Sequence, residues 1–164
     1  MTTIRRIVAA TWLLAALLAA LLAAGCSAPG PEPEVDEAAI ASTIRAYLPR
    51  LAAAYATGNL EPLKELAVEK EIAHVRQRVS ELTDQGKVYE PELREMTVES
   101  VSVWQYANAF VTTVEVWDVR SYALGSRTLL SETVDQRNQV KYQLKRKDDG
   151  WKILYRELAD APGG

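Results

Sequence analysis

The stretch VKYQLKRKDDGWKILY, Val140 to Tyr155, decides the fold. Val140, Tyr142 and Leu144 alternate with Lys141, Gln143 and Lys145, the period of two that marks a strand with one apolar face. Asp148-Asp149-Gly150 follows, a run that tolerates the positive φ of a tight turn. The return run places Trp151, Ile153 and Tyr155 in the same alternation. This is an antiparallel hairpin, so the C-terminal part of the chain is sheet.

Moving back from the hairpin, the sheet extends. Residues 109–121, AFVTTVEVWDVRS, are apolar and β-branched on both faces, as in a central strand covered on each side. Arg127 to Val134 reads as a separate strand from Gln139 to Lys147. After Pro91, Met96 and Val98 lie in one phase, Val101 and Val103 in the other. That change of phase predicts a β-bulge around Glu99-Ser100.

The period before Pro91 is helical. Ile40, Ile44, Tyr47, Leu48, Leu51 and Tyr55 share a stripe that ends at Gly58-Asn59. Pro49 removes a backbone donor, so it either kinks this helix or starts a second one. Glu61 to Asp84 reads as the next helical region, with Val68, Ile72, Val75, Val79 and Leu82 on one stripe and Gly86 as its stop. Helices followed by an antiparallel meander give an α+β fold with the helices on one face of the sheet.

In this layout the chain resembles the NTF2-like superfamily, many of whose members end in an aromatic-rich strand, a DG turn and W-K-I/V. Here the matching residues are Asp149, Gly150, Trp151, Lys152 and Ile153. Within it, the alternating strand and GW-K-I run over residues 38–158 are most similar to the intermembrane-space domain of the plastid division proteins. The resemblance implies a curved antiparallel sheet, packed against N-terminal helices, whose concave face often forms a pocket. It also implies a domain of the kind that, in the plastid division proteins, receives a partner across the intermembrane space.

The N-terminus is an address. Arg5 and Arg6 precede an apolar run from Ile7 to Ala24, and Ala23-Ala24-Gly25-Cys26 closes it. This resembles the lipobox of bacterial lipoproteins, in which the signal is cut before the Cys and its sulfur carries a lipid. Ala23 stands where that family favours Leu. The alternatives are a membrane helix, since eighteen residues span roughly 27 Å, and an ordinary cleaved signal. Residues 1–25 are thus read as a signal peptide, 26–37 as lipidated Cys26 and a Pro/Glu-rich tether, and 38–160 as the domain. The tether lacks the apolar residues needed for burial, so it is expected to be disordered, and extended it reaches roughly 30 Å. Ser27 is not the Asp that retains enteric lipoproteins at the inner membrane, which favours the periplasmic face of the outer membrane.

Composition narrows the function. Net charge is −3, or −5 once Arg5 and Arg6 are removed, which speaks against nucleic-acid binding. One His and one Cys give neither a metal cluster nor an internal disulfide, and no metal or other cofactor is expected. His74 borders an apolar helical stripe and is read as an ordinary flank residue. Glu115, Asp118 and Asp135 are strand acids. The resemblance to ketosteroid-isomerase and SnoaL-like relatives would make one of them a pocket base; the ordinary reading pairs them with Arg120, Arg127 or Arg137. Trp104, Tyr106, Trp117, Tyr122, Tyr142 and Trp151 are core residues, or pocket walls if a pocket forms, with Trp104, Trp117 and Tyr142 the ligand-binding candidates. Thr112-Thr113 and the loop from Arg120 to Arg127, with Gly125 in it, are weaker anion-binding candidates. The reading that follows is a non-catalytic, membrane-anchored envelope lipoprotein whose domain binds a protein partner or a small ligand. A pocket-carboxylate enzyme is the runner-up, and a homodimer packed sheet on sheet the third.

Overall fold

In the computed structural model, which describes residues 36–159, helix α1 (Glu37–Thr57) runs into a 3₁₀ turn (Glu61–Glu65) and helix α2 (Glu69–Asp84). Four strands follow: β1 (Lys87–Trp104), β2 (Asn108–Ala123), β3 (Leu129–Lys147) and β4 (Gly150–Leu158). They form one antiparallel meander in the order β1-β2-β3-β4. The expected α+β layout, helices first and a curved sheet after, is the one observed. The signal segment, Cys26 and most of the tether lie outside the described residues. Among the described residues no helix is long and apolar enough to cross a membrane.

Local chemistry accounts for the elements. Asp36 caps α1 by accepting the N–H of Ala39 at 2.8 Å, and Gly58 ends it at φ 75°. Pro49 neither splits nor restarts the helix. It sits on the exposed flank of the helix, away from the core. The second helical region is interrupted, however. Leu66 and Val68 exchange hydrogen bonds with Ile153 of β4 (2.7 and 2.9 Å), and this strand-like bridge at Ala67 separates the 3₁₀ turn from α2.

The strands bend at bulges. The register of β1 against β2 shifts between Val98 and Ser100, at the predicted place, and again between Leu93 and Glu95. Each shift returns the next apolar residue to the concave face, so Leu93, Met96, Val98, Val101 and Val103 all pack on one core. Pro91 lies within β1, which tolerates it because β1 is an edge strand. The two expected strands 127–134 and 139–147 are one continuous β3 with a bulge at Val134-Asp135, where Asp135 adopts φ 54°. A bulge in β4 also moves Tyr155. The register passes from Leu144–Ile153 to Gln143–Tyr155, so Leu154 is extra and Tyr155 lies on the face opposite Trp151 and Ile153.

The core fills the space between helices and concave face: Ile40, Ile44, Tyr47, Leu48 and Leu51 from α1, Ile72 and Val75 from α2, and Val111, Val140, Leu144 and Ile153 from the sheet. Burying each large side chain contributes about 1.5–3 kcal/mol. Among the described residues, helices cover only this face of β2. On its convex face Val114 is screened instead by neighbouring strands, where the Gln139 amide donates to Glu99 across β2 at 2.7 Å.

Candidate functional site: a buried carboxylate beneath a concave cavity

Alternation along β2 sends Thr113, Glu115 and Trp117 to the concave face, and all three are buried. Glu115 has no exposed surface. Its Oε1 accepts from the hydroxyls of Thr113 (3.1 Å) and Tyr142. Its Oε2 accepts from the Trp117 indole N–H (2.9 Å) and from Nη2 of Arg156 (3.1 Å). Arg156 also donates through Nε to the Tyr142 hydroxyl at 3.2 Å. A buried carboxylate with four donors and a guanidinium partner is fully satisfied. Burial works against the charge on Arg156, but Tyr142 and Glu115 outweigh it and hold its pKa above the ordinary value. Burial first, and then Glu115 against the counter-effect of Arg156, keeps the Tyr142 hydroxyl protonated far above its usual range.

A second buried acid lies behind the first group. Glu71 of α2 accepts from the Tyr47 hydroxyl at 2.7 Å, and its other oxygen has no hydrogen-bond partner among the described residues. Burial pushes the Glu71 pKa up, partly offset by Tyr47, His74 and Arg156. His74 is half exposed, stacks on Tyr155 and stands 3.9 Å from that second oxygen.

Above the Glu115 group the sheet and helices leave a cavity of about 280 Å³. Leu51, Ala52 and Tyr55 of α1 and Arg78 of α2 form one side; Tyr89, Pro91, Trp117 and Val119 of β1 and β2 form the other. Gln136 and Asn138 of β3 and Arg156 and Leu158 of β4 complete it. Glu115 itself lies behind this lining. A smaller hollow of about 230 Å³ occupies the convex face between Phe110, Thr112, Lys141 and Tyr155.

The candidates from the sequence separate accordingly. Trp117 lines the concave cavity; Tyr142 does not, but donates to Glu115 and borders the smaller hollow. Trp104, at the end of β1, is 59% exposed and lines neither hollow. Tyr106 is also exposed, Trp151 is core, and Tyr122 is covered by the Arg127 guanidinium. Asp118 is pinned by the Asp135 N–H (2.9 Å) and faces Arg94, a partner the sequence did not suggest. Asp135 is exposed at the bulge. Thr113 is absorbed by Glu115, and the 120–127 loop is held through Arg120–Glu132 and Arg127–Glu90 pairs. Sequence reasoning missed Arg156 and the Tyr47–Glu71 pair. Among the described residues no three metal-ligating side chains cluster.

Comparison with known proteins agrees with this architecture. No curated protein matches the chain. The intermembrane-space region of the chloroplast protein ARC6 superposes with a TM-score of 0.68 at 19% identity, covering 79% of this chain and 100% of that one. A periplasmic fragment of TraM gives 0.53 at 12% identity, covering 78% and 100%, and the Kfla4162 protein of Kribbella flavida gives 0.51 at 10%, covering 75% and 90%. At these identities the likeness is one of fold. The model of the ARC6-like IMS domain family matches residues 52–154, more than half of the chain, and the chain therefore belongs to that family.

Proposed function

We propose that this is a non-catalytic binding domain of the cell envelope, held outside the cytoplasm by lipid on Cys26, that receives a partner in its concave cavity. The observation that carries this reading is the cavity itself, walled by both helices and all four strands on the face where the family fold curves. Membership of the ARC6-like IMS family supports the location, as do an intermembrane-space region and a periplasmic fragment among similar folds. The enzyme reading needs a carboxylate free to take a proton. Glu115 is the buried acid nearest the cavity, and Thr113, Tyr142, Trp117 and Arg156 occupy both its oxygens.

Site-specific photo-crosslinking in the native host tests this. Benzoylphenylalanine at Tyr89, on the cavity wall, is expected to capture a discrete envelope component, and the same group at Thr97, exposed on the convex face, is not. Equal capture at both positions, or none at Tyr89, refutes it.

A further inference from the structure

The concave cavity is bordered by the end of β4, and among the described residues the sheet edge there is vacant. β4 pairs with β3 only along Val140 to Lys147, and the last contact is the Ala159 N–H donating to the Gln139 carbonyl at 2.8 Å. From Leu129 to Asn138, β3 pairs with β2 on one side, and among the described residues no strand lies on the other. Residues 129–137 are all exposed. Backbone groups alternate sides along a strand, so Arg137 presents its N–H and C=O to the same side as Gln139, just past the end of β4. Its neighbours Gln136 and Asn138 line the cavity. The vacant edge and the cavity are therefore one continuous surface.

The charges describe the occupant. Arg156 is already neutralised by Glu115, and Arg78 is paired with Glu81 at 3.0 Å. What the cavity wall offers is hydrogen-bonding capacity without net charge: the Arg156 guanidinium held by Glu115, the amides of Gln136 and Asn138, which bond each other at 3.4 Å, and the side chains of Tyr55 and Tyr89. A small anion gains little from cations that already have partners. Peptide carbonyls and N–H groups match this set, and an unpaired strand edge is satisfied in full only by another strand. We infer that the cavity's partner is an extended polypeptide segment, which pairs with the β3 edge beyond β4 and seats a side chain against Trp117. This rests on the cavity being the binding site. A second copy of the chain fits less well, because two-fold pairing along 129–138 would set the Val134-Asp135 bulge of each copy into the ladder of the other.

The test is a random-peptide display selection on the full chain in detergent micelles, with the tightest peptide synthesised. Arg137→Pro removes the outward N–H, and Arg137→Ala removes only the side chain. The expected result is a loss of roughly tenfold in affinity for Arg137→Pro and less than about twofold for Arg137→Ala. N-methylating alternate residues of the peptide should abolish binding with the protein unaltered, which covers the case of a misfolded proline variant. N-acetylphenylalaninamide, monitored at the Trp117 indole N–H by NMR, separates the two levels. If it binds in the cavity while no peptide depends on the edge, this inference falls and the cavity reading stands. If neither probe binds, both fall. If sedimentation shows self-association that Arg137→Pro abolishes, the occupant is a second copy and the inference is overturned.

Discussion

Replacing Glu115 with Gln tests the central feature of the site, because the change removes a charge at nearly constant shape. The amide oxygen can take the Oε2 position, facing the donor-only Trp117 N–H and Arg156 Nη2. The amide nitrogen then faces the hydroxyls of Thr113 and Tyr142, which can rotate to accept although their own protons lose the carboxylate acceptor. What has no remedy is the guanidinium of Arg156, whose side chain is only 18% exposed. Stranding one partner of a buried pair costs about 3–5 kcal/mol. A domain of this size is stabilised by about 0.05–0.15 kcal/mol per residue, so the variant should stay folded but weakened. That cost corresponds to a melting point lower by roughly 10–20 °C, readable by circular dichroism of the purified chain. The double variant Glu115→Leu/Arg156→Met removes both charges and should recover most of the loss, because a buried pair replaced by apolar residues is often neutral. A Glu115→Gln variant within about 1 kcal/mol of wild type, or a double variant at the sum of its singles, would refute the pairing argument.

Three further outcomes follow from other residues. Burial raises the folded-state pKa of Glu71 above its ordinary 4.5, so the folded protein holds the proton that the unfolded chain releases, and stability falls as pH rises above 4.5 until the folded value is passed. Glu71→Gln should flatten the decline that begins above pH 4.5; a difference in melting temperature from wild type that stays constant as the pH is raised from 4.5 would show that Glu71 does not titrate in this way. Asp36→Ala removes the α1 cap and should cost about 1 kcal/mol, measured by thermal unfolding, whereas no change would mean the Ala39 contact contributes nothing in solution. Cys26→Ala should abolish incorporation of a labelled fatty acid; equal labelling of variant and wild type, or none in either, removes the lipid anchor.

Much of the fold was legible because periodicity carries it. The alternation from Val140 to Leu144 and the Asp148-Asp149-Gly150 turn are realised as β3, its hairpin and β4. The phase change at Glu99 located a bulge because apolar residues flank it on both sides. The bulge at Arg94 had no such flank. Leu93 stands among Pro91, Glu92 and Glu95, so its phase could not be compared with that of Met96. Asp135 hid the continuity of β3 for a similar reason. The whole segment from Leu129 to Arg137 is exposed, and an exposed strand carries no apolar pattern to read.

The site was hidden by one residue. Alternation from Trp151 and Ile153 assigns Tyr155 to the concave face and Arg156 to solvent. Leu154 is extra in the ladder, and a one-residue slip exchanges the faces of everything after it. Arg156 is thereby carried opposite Tyr142 and within 3.1 Å of Glu115. Without that slip Glu115 would be a buried charge with no counter-ion, which folding does not tolerate. Its identity as a Glu on the apolar face of β2, in phase with Val111 and Trp117, was therefore a usable signal that a cation had to arrive from another strand. Glu71 carries the same signal on α2, since it shares a face with Val68, Ile72 and Val75. It found a hydroxyl, Tyr47, and its second oxygen was left without a hydrogen-bond partner among the described residues, with only the half-exposed His74 at 3.9 Å. The two acids thus divide by what reached them. Glu115, met by Arg156, is fixed as structure beneath the cavity, while Glu71 answers its burial with a raised pKa.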